Sequence, residues 1–162
     1  LHPVHAADYI RKVLDFNDFT VARTPEGYRL RGNGDLRTVR LPATGDSPDF
    51  AASRGVAGMA PGPQARYVHL TGDDALLAFG PAARPLPYVE SANARIDRLV
   101  RDADGLRMDI RGESPLDITL ANAGECRALW QDKPLDVRRL GDRLLIRSPR
   151  HDLPALQIRC PH

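Results

Sequence analysis

The chain has 162 residues, with 23 Lys and Arg against 21 Asp and Glu for a formal net charge of +2. That length fits one domain, or one domain and a fragment, and a balance this even, with Arg interleaved among apolar residues, argues against the clustered basic stripe of a nucleic-acid binder. Hydrophobic residues at 42% suffice for a core, 14 Pro and 13 Gly cut the chain into elements too short for a helical bundle, and no run approaches the roughly 20 apolar residues of a membrane-inserted helix.

The chain opens at Leu1-His2-Pro3 with neither Met nor a signal-peptide pattern, and it reads as a piece of a longer protein. Residues 1–5 read as extended. His2 and His5 form an H-x-x-H pair, but metal-binding pairs on a helix stand at i,i+4 and no third ligand is near, so they read as surface or interface histidines. Residues 6–16 read as a helix whose Tyr9, Ile10, Val13 and Leu14 would form a buried stripe, ended by Asn17-Asp18. A lone strand and helix cannot bury both faces, so this unit is expected to pack on another domain.

A three-stranded meander is expected over 19–23, 28–31 and 36–41, turning at 24–27 and at Gly32-Asn33-Gly34. The apolar phase slips between Leu36 and Val39, which suggests a β-bulge. Residues 42–49 read as a surface loop, with strands over 56–59, 66–70 and 75–79. The proline-rich 81–87 reads as a stiff connector and a candidate sub-boundary. Tyr88-Val89 follows, then 95–101, which fits either a helix or a strand.

From there the alternation is plain. Leu106, Met108 and Ile110 alternate with charged residues, as do Leu116, Ile118 and Leu120, then Leu144 and Ile146, then Leu156, Ile158 and Cys160. A period of two places each apolar set on one sheet face. Short, evenly spaced strands of this kind predict a mainly β chain: an antiparallel β-sandwich of jelly-roll type with a short N-terminal helix.

Catalytic motifs are missing from the sequence. It holds no G-x-S-x-G elbow, and Ser53-Arg54-Gly55 reads as loop. Gly32-Asn33-Gly34-Asp35 lacks the following helix that a phosphate-cradling loop needs. Cys126 and Cys160 without nearby His do not complete a zinc site; they read either as a disulfide or as two buried thiols. Carbohydrate binding is the chemistry the residue types suit best, because a pyranose stacks its apolar face on an aromatic ring. Candidates are Tyr67, Tyr88 and Trp130, with Asn93, Arg95, Asn122 and Glu90 as polar partners; the competing reading makes the aromatics core or rim packing.

The run Pro3-Val4-His5-Ala6-Ala7-Asp8-Tyr9-Ile10-Arg11-Lys12-Val13-Leu14-Asp15-Phe16 resembles the closing strand and helix of a polysaccharide deacetylase barrel. Gly34-Asp35-Leu36-Arg37, Gly55-Val56-Ala57-Gly58 and Arg84-Pro85-Leu86-Pro87-Tyr88 resemble the β-sandwich tail that follows the barrel in the deacetylases of Pel biofilm exopolysaccharide biosynthesis. The resemblance implies that residues 1–18 close a preceding barrel, that 19–162 form an accessory β-sandwich, and that the parent is a periplasmic, metal-dependent enzyme. Its substrate would be an N-acetylgalactosamine/galactosamine polymer. The family's metal-binding His pair is spaced i,i+4; His2 and His5 depart from it, so no catalytic role, metal or cofactor is carried onto this chain. A periplasmic address favours a Cys126–Cys160 bridge. Expected partners are the polysaccharide, the preceding barrel and a helical-repeat (TPR) export protein. The function implied is to support the barrel or hold polymer, with a protein-docking module as the alternative.

Overall fold

The computed structural model describes residues 6–32, 34–80, 86–102, 104–112 and 115–161. His2 and His5, and most of the 81–87 connector, lie outside the described residues.

One helix, α1 (Ala6–Asp18), precedes strands β1 (Thr20–Thr24), β2 (Gly27–Arg31), β3 (Thr38–Pro42), β4 (Val56–Pro61), β5 (Ala65–Leu70) and β6 (Asp74–Ala78). Then come β7 (Tyr88–Ala92), β8 (Ala94–Asp102), β9 (Gly105–Gly112), β10 (Leu116–Ala121), β11 (Arg127–Trp130), β12 (Lys133–Pro134), β13 (Val137–Leu140), β14 (Arg143–Ser148) and β15 (Asp152–Arg159). The ambiguous 95–101 run is thus a strand. It pairs antiparallel with β9 along its length, with a bulge between Ile96 and Arg98.

Three sheets form, ordered β1-β2-β6, β13-β14-β10-β7-β4-β5-β3 and β12-β11-β15-β9-β8. The mainly β, predominantly antiparallel sandwich with one short helix is as the alternation predicts; jelly-roll connectivity is not established by this strand order. The expected meander is corrected. β1 and β2 do form a hairpin across Pro25-Glu26, but β2 then pairs β6 and β3 pairs β5. The glycines at 32 and 34 therefore close no hairpin, and the strand of the third run starts only at Thr38.

Two cores share the seven-stranded sheet. One gathers Met108, Ile110, Leu116, Ile118, Leu120, Leu144, Ile146, Leu156 and Ile158 between that sheet and the five-stranded one. The other gathers Leu30, Phe50, Val56, Val68, Leu70 and Leu77 beneath the three-stranded sheet. Neighbouring residues divide between them: Val56 and Tyr88 join the second core, Ala57 and Val89 the first. Successive side chains on a strand point to opposite faces, so the cores lie on opposite faces of one sheet. The halves of that sheet meet at a parallel contact, Gly58 beside Val89. A Cβ on Gly58 would lie 2.0 Å from the Val89 carbonyl oxygen, so glycine is required there. The sheet thus runs on across the 81–87 connector.

α1 departs from expectation. Its Tyr9, Ile10, Val13, Leu14 and Phe16 are exposed, from 40% to 68%, rather than buried. The helix is mounted by its polar side. Asp15 Oδ2 accepts the Asp35 backbone N–H at 2.9 Å, and Gly34, at φ 48°, leaves room for that carboxylate: a Cβ there would lie 2.3 Å from Asp15 Cγ. Among the described residues nothing covers the apolar arc.

Candidate functional site

Where the second core opens to solvent, the β1–β2 hairpin stands away from β3 and β5, leaving a cleft of about 460 Å³. Cross-strand partners Arg23 and Tyr28 line its hairpin side. Leu41 lines the opposite wall, Phe79 also borders it, and Glu26 and Asp46 stand at its turn and loop. Tyr28 is 39% exposed and meets Phe79 edge-on, with centroids 5.9 Å apart and ring planes at 90°. The Phe79 N–H donates to the Glu26 carbonyl at 3.3 Å, tying the hairpin turn to the cleft.

The opposite wall is a loop held by one side chain. Arg66 donates from Nε to the Pro42 carbonyl (3.0 Å), from Nη1 to the Asp46 carbonyl (2.8 Å) and from Nη2 to the Thr44 carbonyl (3.4 Å). That engages the guanidinium as a loop clamp and fixes the wall before any ligand arrives. The cleft therefore offers a half-exposed ring, an apolar wall, two carboxylates and the Arg23 cation. A ring face can stack on a pyranose, and charged groups can bond its hydroxyls.

The residues singled out from sequence lie elsewhere, and none lines this cleft. Tyr67 is 41% exposed on β5. Tyr88 packs its ring on Phe50 at 4.6 Å, as part of the second core, and burial pushes its phenol pKa up. Asn93 clips two segments together: its Nδ2 donates to the Pro115 carbonyl and its Oδ1 accepts from the Asp117 N–H, each at 2.8 Å. Arg95 bridges Asp35 (2.9 Å) and Asp97 (2.7 Å). Asn122 donates to the Leu86 carbonyl at 3.2 Å. Glu90 is gripped by both Nε and Nη2 of Arg143, the latter at 2.8 Å, and the hydrogen bond to Arg143 holds its carboxyl below the usual range.

Trp130 packs against the first core, and its ring carries the Arg150 guanidinium at 4.2 Å from the centroid. A sugar stacking on that face would have to displace the arginine. Ser53 is structural as well: its Oγ donates to the Asp49 carbonyl at 2.6 Å and accepts the Ala78 N–H at 3.0 Å. Cys126 and Cys160 form a disulfide with a Cα–Cα distance of 4.1 Å, continuing the Arg127–Arg159 register between β11 and β15. Among the described residues no group of three or more His, Cys, Asp or Glu is arranged to hold a metal ion.

Tyr28 is not among the aromatic residues singled out from the sequence, where it stands only as the start of a strand. The available signal was its place next to Pro25-Glu26-Gly27, at the end of a hairpin where the residue is 39% exposed. Compared with known proteins, the chain matches no family model, no curated protein and no solved structure.

Proposed function

We propose that this chain is a non-catalytic accessory β-sandwich of a bacterial exopolysaccharide deacetylase of the Pel type, periplasmic, which holds a galactosamine-rich polymer and supports the enzyme's barrel. The observation that carries the holding role is the Tyr28 cleft. It combines a half-exposed aromatic ring with Arg23, Glu26 and Asp46 around a wall already fixed by Arg66. Pre-fixed walls spare the ordering cost that weakens binding to loose loops. Calorimetric titration of the chain with partially deacetylated galactosaminoglycan oligomers tests it. Heat that disappears in Tyr28→Ala, with the circular dichroism spectrum unchanged, supports the reading; absence of heat at millimolar oligomer overturns it.

The supporting role rests on α1. A helix fixed through Asp15, with Tyr9, Ile10, Val13, Leu14 and Phe16 turned to solvent, presents an apolar arc that suits a neighbouring domain. The same arc favours the second reading, a docking module for a helical-repeat export protein. Such a module would ignore sugar, and replacing Ile10 and Leu14 by Lys would abolish its capture of that partner.

A further inference from the structure

We propose that the outer edge of β1, which no described strand pairs, is a self-pairing site, and that its partner is β1 of a second copy of this chain. The inference stands apart from the ligand reading and uses only strand geometry.

The direction of the backbone groups follows from the turn. A two-residue loop closes the hairpin between Thr24 and Gly27, and such closing pairs are hydrogen-bonded. Alternation then makes Ala22–Arg29 and Thr20–Arg31 the next bonded pairs. The other side of β2 agrees: Gly32 N–H donates to the Asp73 carbonyl and Phe79 N–H to the Glu26 carbonyl, so the even-numbered residues of that strand serve β6. Val21 and Arg23 consequently aim their N–H and C=O groups away from β2, out of the sheet.

Proteins blunt such edges with bulges, prolines, charges or cover, and the other sheet edges here carry those devices. β3 ends on Pro42, beside the Arg66 clamp. β8 bulges between Ile96 and Arg98. β12 is two residues long with Pro134, and β13 carries Arg138 and Arg139. β6 is covered by bridges from Arg54 to Leu76 and from Pro48 to Phe79. β1, Thr-Val-Ala-Arg-Thr, has one charge, and its Val21 is 55% exposed.

The sequence of β1 suits a two-fold axis through Ala22. Ala22 would face Ala22 of the partner copy as a non-hydrogen-bonded pair, the closely approaching kind at about 4.5 Å between Cα atoms, where the small side chain fits. On either side Val21 would exchange two hydrogen bonds with Arg23 of the partner copy, making four across the axis, and no arginine would face its own image. Thr20 would meet Thr24 of the partner copy, a favourable cross-strand pair. The product is a six-stranded sheet, β6-β2-β1 joined to its copy. Five residues of pairing fall short of the roughly 1,200 Å² of a standard interface, so the dimer is concentration-dependent.

Sedimentation velocity on the chain, from roughly 10 μM to 1 mM, should show monomer passing to dimer. Val21→Pro removes an outward N–H without touching the ladder to β2 and should hold the chain monomeric at an unchanged melting temperature. Ala22→Cys should cross-link to a covalent dimer under mild oxidation, through the thiol at position 22. A chain that stays monomeric at the top concentration, or an Ala22→Cys variant that does not cross-link there, would overturn the proposal.

Discussion

Arg101 lies over the ring of Phe50, its guanidinium carbon 5.3 Å from the ring centroid. From there it donates through Nη1 to the Val56 carbonyl and through Nη2 to the Ala57 carbonyl, each at 2.8 Å. Phe50 and Val56 belong to one core and Ala57 to the other. A side chain from β8, in the five-stranded sheet, thus pins the strand that both cores share. Burial pushes its pKa down to about 10, while the two carbonyls and the ring face favour the cation that burial opposes.

Removing that pin is expected to cost about 2–3 kcal/mol in Arg101→Ala, because two carbonyls lose a charged donor in a largely dry site. Arg101→Lys should recover less than half, since an ammonium cannot match the planar fork that spans adjacent carbonyls. Urea unfolding of the three proteins measures both effects; equal stabilities would show that the two cores hold together without this contact.

The disulfide makes a second, larger prediction. It closes a loop with a sequence separation of 34, for which the chain-entropy model gives about 3–4 kcal/mol. The double variant Cys126→Ala, Cys160→Ala should lose stability of that order in denaturant titration and keep its far-ultraviolet spectrum.

Acid should weaken the link between β7 and β14. Arg143, through its hydrogen bond, lowers the pKa of Glu90 from an ordinary value of 4.5, and the Glu90 side chain is only 13% exposed. A folded-state pKa below the unfolded one means stability present above pH 4.5 and lost as pH falls through the lowered value. Melting temperatures recorded downward from pH 7 should drop more steeply for the wild type than for Glu90→Gln. Parallel curves would contradict the assignment.

The two aromatic candidates should separate cleanly. Tyr28→Ala is expected to remove oligomer binding at little cost in stability, because its ring is partly solvent-facing. Trp130→Ala should instead destabilise by about 1–3 kcal/mol through lost burial and leave binding intact, since Arg150 already occupies its exposed face. Titration and thermal melts on both variants decide; binding lost only in Trp130→Ala would move the site.

The strands with strict alternation were legible from sequence: 106–110 and 116–120 lie where the apolar period places them. So was the turn at 24–27, where Thr24 pairs Gly27 across Pro25-Glu26. Pairing was not legible. Gly32-Asn33-Gly34 has the chemistry of a hairpin turn, yet β2 chooses β6, some 45 residues along, and nothing local encodes a partner so distant. The site was hidden for the same reason. Tyr28 becomes a cleft residue only because β3 and β5 cross beneath the hairpin, and Trp130 loses its free face only because the chain returns at Arg150. The helix was legible in extent and misleading in burial: its period reports an apolar arc, and periodicity alone does not say what covers it.

β15 runs between β9 and β11, so the strand latest in the chain among those described occupies the middle of its sheet. A polypeptide halted before Asp152 would leave β9 and β11 facing an empty lane, with Met108 and Ala128 stripped of the neighbour that keeps water off them. Assembly of that half must wait for synthesis to pass residue 159, and a chain that holds β9 and β11 but lacks β15 displays two unpaired strand borders. The last of the described strands is thus the keystone of its sheet, and that half of the molecule closes only when it is in place.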